Sequence, residues 1–126
     1  MRFIPTRVHG LLDYLTAGVL IAAPLILGLR KNGTQTWLPV ALGVGTIGYS
    51  LLTDYELGLF KVIPMPAHLA LDAANGALLA ASPWLFGFAE EVSAPHLGLG
   101  LFELAVTACS QSTPDRVVDS APRSAV

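Results

Sequence analysis

The sequence predicts an all-α protein: a four-helix transmembrane bundle made of two parallel two-helix repeats, related by a pseudo-two-fold axis along the membrane normal. Three observations lead to this. Hydrophobic residues fill 53% of the 126 positions and charged ones only 13%, with a mean hydropathy of +0.62; a soluble surface of this size carries about twice that charged share. The ionisable residues crowd the ends and junctions, leaving apolar stretches long enough to cross a bilayer. Residues 4–29 also align without gaps on residues 63–88, with nine of 26 positions identical. Among those identities are His9/His68, Asp13/Asp72, Pro24/Pro83 and Gly28/Gly87, residue types that a merely shared lipid-like composition does not explain.

The first helix is expected over 8–29. Arg2 and Arg7 ahead of an apolar run resemble a signal peptide, but His9 and Asp13 lie inside the run and the segment recurs, so it is retained. Pro24 sits in its outer half, where it removes one backbone bond, frees the carbonyl of Leu20 and kinks the helix. A tight turn at Asn32-Gly33 leads into a second helix over 37–53, in which Gly43-Val44-Gly45 follows no strand and reads as helix packing. The middle connection, 54–65, mixes Asp54, Glu56 and Lys61 with Leu57, Leu59, Phe60 and Val62, and is expected to lie along the membrane interface.

The third helix, 66–88, repeats the first. Pro83 frees the carbonyl of Leu79, Ser82 satisfies local backbone, and Trp84, like Trp37, anchors a helix end at the interface. A fourth helix over 94–111 matches the second, both being Leu/Gly-rich and ending in small polar residues. Glu103 falls near its middle, and Cys109 reads as a small apolar residue. His96 is placed at the opposite end, interfacial and too far to join the other ionisable groups. Residues 112–126 read as a disordered cytoplasmic tail. The whole chain is one membrane domain, with repeat 1 at about 4–53 and repeat 2 at about 63–111.

Basic residues set the orientation. Arg2, Arg7, Lys61, Arg116 and Arg123 lie on the side of the termini and middle connection, against Arg30 and Lys31 in the hairpin loops. The positive-inside rule then places both termini in the cytoplasm of a multi-pass protein of the cell membrane. Each repeat crosses twice, so the two enter with the same orientation and their ionisable residues share one depth.

His9 and Asp13 are four apart on a helix, as are His68 and Asp72, so each pair shares a face. That face continues through Ala17 in one repeat and Gly76 and Ala80 in the other, small residues that let helices approach closely. With Glu103 these four form a candidate polar cluster. If a metal binds, His9, Asp13, His68 and Asp72 are the ligands; the same groups could relay protons. Alternatively, each histidine neutralises its own aspartate and ties its helix to a neighbour.

The repeat resembles the SPW-repeat family of bacterial and archaeal membrane proteins, named for the tripeptide present here as Ser82-Pro83-Trp84. The first copy departs from it as Ala23-Pro24-Leu25. The resemblance implies an integral membrane protein of paired helices and implies no established reaction.

No basic run favours nucleic acid, and no nucleophile–base pair, phosphate loop or cofactor motif is present, so the expectation is a non-enzymatic protein without a cofactor. Its expected partners are the lipid bilayer and a second copy or a membrane partner subunit. Two further readings stay open: a metal-binding or proton-coupled solute-transport module centred on the polar cluster, and a membrane-bound enzyme using the same residues.

Overall fold

The computed structural model describes residues 2–29 and 32–113. Four α-helices account for most of them: α1 Thr6–Ile26, α2 Thr34–Leu51, α3 Met65–Leu85 and α4 Ala94–Cys109. Among the described residues the only extended pairing is two isolated bridges, so the all-α expectation holds. The expected tail falls mainly on residues 114–126, and Arg30 and Lys31 in the first hairpin; these lie outside the described residues.

The helix boundaries shift by a few residues from the expected ones, for local reasons. Pro5 and Pro64 both take φ near −65° and ψ near 150°, an extended conformation immediately ahead of α1 and α3. The helices therefore start just after these aligned prolines. They stop at the aligned glycines, where Gly28 (φ 66°) and Gly87 (φ 78°) take the left-handed conformation that glycine adopts without strain. The N–H groups of Leu29 and Phe88 then donate back to the carbonyls of Pro24 and Pro83, at 2.9 and 2.8 Å, closing each helix end. Pro24 and Pro83 lie buried within their helices. The carbonyl of Leu79, freed by Pro83, accepts the Ser82 hydroxyl at 2.7 Å. Trp84 and Trp37 stay more than half exposed.

α2 begins three residues earlier than expected, with Gly33 as its N-cap, and this puts Pro39 in the second turn instead of the first. Its missing N–H leaves the Gln35 carbonyl without the usual i+4 donor. His96 of α4 supplies one: Nε2–H donates to that carbonyl at 2.8 Å. The expectation for His96 is thus corrected. It is 3% exposed, stacked edge-on against Phe88, and it ties α4 to α2 rather than sitting at an interface. The cause is a backbone vacancy on another helix, which burial makes costly to leave open. His96→Leu is expected to cost about 1–3 kcal/mol. That cost should shrink in a Pro39→Ala background, where residue 39 regains an N–H for Gln35. A double-mutant cycle by thermal unfolding in detergent measures the difference, and a coupling of zero would break the link between the two residues.

α1 packs along α2, α3 packs along α4, and α2 also touches α3. Glycine sets both close approaches. A Cβ on Gly43 would lie 2.8 Å from the Ala17 carbonyl oxygen, and one on Gly100 would lie 2.5 Å from the Ala80 nitrogen. Gly45, by contrast, faces open space, so of the Gly43-Val44-Gly45 pair only Gly43 packs.

The two hairpins are joined at one end of the bundle. Ile4 bridges to Ser110, and Ile63 bridges to Thr53, residues that lead into α1 and α3 meeting residues that follow α4 and α2. Arg2 adds a cap, donating to the Ser110 carbonyl at 2.6 Å beyond the end of α4. The middle connection has an outer and an inner side. Leu59, Phe60 and Val62 face outward, but Tyr55 turns inward to 1% exposure and packs on Met65 and Leu69.

Apolar side chains such as Leu20, Leu79 and Met65 share the interior with many polar ones, and large apolar side chains also cover the outside. The interior holds Thr6, Thr46, Ser50, Thr53 and Ser110 as well as both His-Asp pairs, whereas Leu15, Leu25, Ile26, Leu71 and Leu101 point out. Among the described residues, α1 is long and apolar enough to cross a membrane, and α4 is a shorter apolar helix.

Candidate functional site

The first turns of α1 and α3 emerge from equivalent Pro5 and Pro64 caps, so His9 and Asp13 leave α1 just as His68 and Asp72 leave α3. All four are at most 8% exposed. They meet between the hairpins, and one ligand-type atom from each lies within 4.8 Å of the others.

The closest contacts are crossed. His9 Nε2 lies 2.7 Å from Oδ2 of Asp72, and His68 Nε2 lies 2.9 Å from Oδ2 of Asp13. The contacts within each repeat are slightly longer, 3.1 Å for His9–Asp13 and 3.0 Å for His68–Asp72. Each histidine therefore engages both aspartates, and the reading in which each neutralises only its own partner is too narrow. The i, i+4 spacing brings the pair to one face, and docking of the hairpins then offers a second carboxylate on the other side.

The tautomers follow from the neighbours. Ser110 Oγ donates to the Val106 carbonyl and Thr53 Oγ1 to the Tyr49 carbonyl, each at 2.6 Å. A hydroxyl has one proton, so both oxygens can only accept from the histidines. His9 Nδ1–H donates to Ser110 at 2.6 Å and His68 Nδ1–H to Thr53 at 2.7 Å. Nε2 is thus the nitrogen that each ring turns toward the carboxylates. Protonated there as well, two rings balance two carboxylates, and the buried site carries no net charge.

Two tyrosines complete the carboxylate shell. Tyr49 donates to Oδ1 of Asp72 at 2.5 Å and Tyr55 to Oδ2 of Asp13 at 2.8 Å. Burial, and then the Asp13 charge, raise the Tyr55 phenol above its ordinary pKa, so it stays a donor. Behind Tyr49, Asn75 donates to Thr46 Oγ1 at 2.9 Å. Both tyrosines escaped the sequence reading. For Tyr49 a signal existed: Thr46, Tyr49, Ser50 and Thr53 form a hydroxyl stripe at helical spacing along α2 and just past its end. For Tyr55 none did, because a loop's fold decides where it points.

Glu103 does not join the four. It stands across a small cavity of about 20 Å³, room for about one water, whose wall also includes His9, Asp13, Asp72, Thr46 and Thr107. Glu103 Oε2 and Thr107 Oγ1 are buried there with no hydrogen-bond partner among the described residues. The proline-motif residues Pro24, Ser82, Pro83 and Trp84 lie toward the opposite ends of α1 and α3 and take no part in the cluster.

The family model of the SPW repeat domain matches residues 7–110, which include the quartet, both hairpins and the Ser82-Pro83-Trp84 tripeptide. Neither a curated protein nor a solved structure matches the chain at a significant level.

Proposed function

This chain belongs to the SPW repeat domain family, and from that premise we propose that it is a multi-pass integral membrane protein of structural or accessory type. Its paired His-x3-Asp units lock two parallel two-helix repeats together within one membrane domain. The observation that carries this reading is the crossed contact of each histidine with the aspartate of the other repeat. Every nitrogen of the two rings and every carboxylate is engaged by groups of the chain itself, as a structural staple requires. The reciprocity of these bonds, with matched caps on α1 and α3, supports a pseudo-two-fold relation of the repeats about the membrane normal.

The membrane reading draws on the large apolar side chains exposed along the helices, on α1 as a candidate span and on the family. At 21 residues α1 and α3 reach about 31 Å. α2 and α4, at 18 and 16 residues, reach about 27 and 24 Å, which local thinning of the bilayer accommodates. Arg2, Arg7 and Lys61 belong to the joined end of the bundle, which becomes the cytoplasmic one by the positive-inside rule. On this reading the protein performs no reaction, and its partners are lipid and a second copy or another membrane subunit.

The test is the Asp13→Asn, Asp72→Asn double variant, which keeps shape and removes both charges. Measured in detergent with chelator present, its thermal midpoint should fall well below that of the parent. A double variant that melts at the parental temperature would overturn the staple.

A further inference from the structure

We propose that the quartet also holds one divalent transition-metal ion, of the zinc class, bound by Nε2 of His9 and His68 and by one oxygen each of Asp13 and Asp72. This goes beyond the staple, which needs no ion.

The first ground is geometry. A tetrahedral ion with bonds of about 2.0 Å needs ligand atoms about 3.3 Å apart. With Oδ2 of Asp13 and Oδ2 of Asp72 as the oxygen ligands, three nitrogen–oxygen separations are 2.7, 2.9 and 3.0 Å, which an ion at the centre spreads by a few tenths of an ångström. One ligand atom from each of the four residues lies within 4.8 Å of the others, so the widest separation closes as the ion binds. The second ground is ring orientation. Because Ser110 and Thr53 hold both Nδ1–H groups, Nε2 is the ring atom left to ligate, the incoming ion displacing its proton to solvent, and both Nε2 atoms already converge on the carboxylates. Metal-binding histidines are held in this way, by an acceptor on the far nitrogen, and ligating carboxylates by donors such as the Tyr49 and Tyr55 hydroxyls.

The third ground is the donor set and its charge. Two imidazoles with two carboxylates suit zinc-class ions better than calcium or magnesium, which prefer all-oxygen shells. With neutral rings the two carboxylates cancel the charge of a divalent ion inside a buried site. The adjoining cavity is an independent pointer to a ligand. Thr107, 8% exposed, lines it with an unpartnered hydroxyl, and Glu103 brings an unpartnered carboxylate oxygen. A water in the cavity would satisfy both beside the ion.

The experiment is a Co²⁺ titration of the full chain in detergent, prepared without chelator, followed by visible absorption. One Co²⁺ per chain should bind with the intense d–d bands of a tetrahedral ion, and an equimolar amount of Zn²⁺ should displace it. His68→Gln should abolish binding. Tyr55→Phe, a milder change that keeps the ring in the core, should weaken affinity about 10-fold or more. Parent protein that takes up no stoichiometric Co²⁺ or Zn²⁺ overturns the proposal, as does a folded His68→Gln protein that binds like the parent. The staple is judged with chelator present, so the two readings fail separately.

Discussion

Asp72→Ala is expected to destabilise the folded protein by about 3–5 kcal/mol. Asp72 accepts from His9 at 2.7 Å, from His68 at 3.0 Å and from Tyr49 at 2.5 Å, all in the buried centre of the bundle. Alanine leaves those three donors facing a cavity. It also leaves two rings to share one remaining carboxylate, so the loss far exceeds that of a single exposed ion pair. The quadruple variant His9→Met, Asp13→Leu, His68→Met, Asp72→Leu provides the contrast. Made together with Tyr49→Phe and Tyr55→Phe, so that no hydroxyl is left without its carboxylate, it removes the network whole and fills the site with apolar groups, a change that is often close to neutral in buried sites. Urea or thermal unfolding in detergent compares the two. A combined variant much less stable than Asp72→Ala would mean that the charges contribute more than mutual compensation.

Gly100→Val is expected to cost about 3 kcal/mol or more, at the upper end of what over-packing a core costs. The added Cβ would stand 2.5 Å from the Ala80 nitrogen, 2.6 Å from the Gly76 oxygen and 2.7 Å from the Ala80 Cα. All three are backbone atoms of α3, which cannot swing aside as a side chain could, so α3 and α4 must part and the hairpin loosens. Two residues away, Gly98 has nothing within 4 Å of its Cβ position. Gly98→Ala should therefore stabilise by about 0.5–1 kcal/mol through helix propensity alone. Thermal midpoints of the two variants moving in the same direction would show that helix propensity, and not the close approach, governs Gly100.

The expected effects trace back to unequal legibility. His9, Asp13, His68 and Asp72 stand out in the chain because ionisable residues are costly in apolar helices and because they recur at one offset. Their crossed pairing was not legible, since i, i+4 spacing describes one helix and says nothing about which carboxylate a second hairpin delivers. Glu103 shows the converse: an acid at a suitable depth that packs over Gly76 and ends across a cavity from the cluster. His96 was read by its position near a helix end, whereas its role depends on Pro39, a vacancy on a helix to which it is not adjacent in sequence.

The sequence by itself determined the number of helices and their approximate bounds, the twofold recurrence with its aligned prolines and glycines, and the family. Proline and glycine act through their own backbone, so their effects can be read one residue at a time. Only the tertiary structure decided the partners: Asp72 for His9, Asp13 for His68, Tyr55 drawn in from the middle connection, and Gln35 held by His96. Hydrogen bonds of this kind need two groups within about 3 Å in a fixed orientation. That condition is met by the docking of one hairpin on the other, over separations of 42 to 101 residues that no local pattern spans.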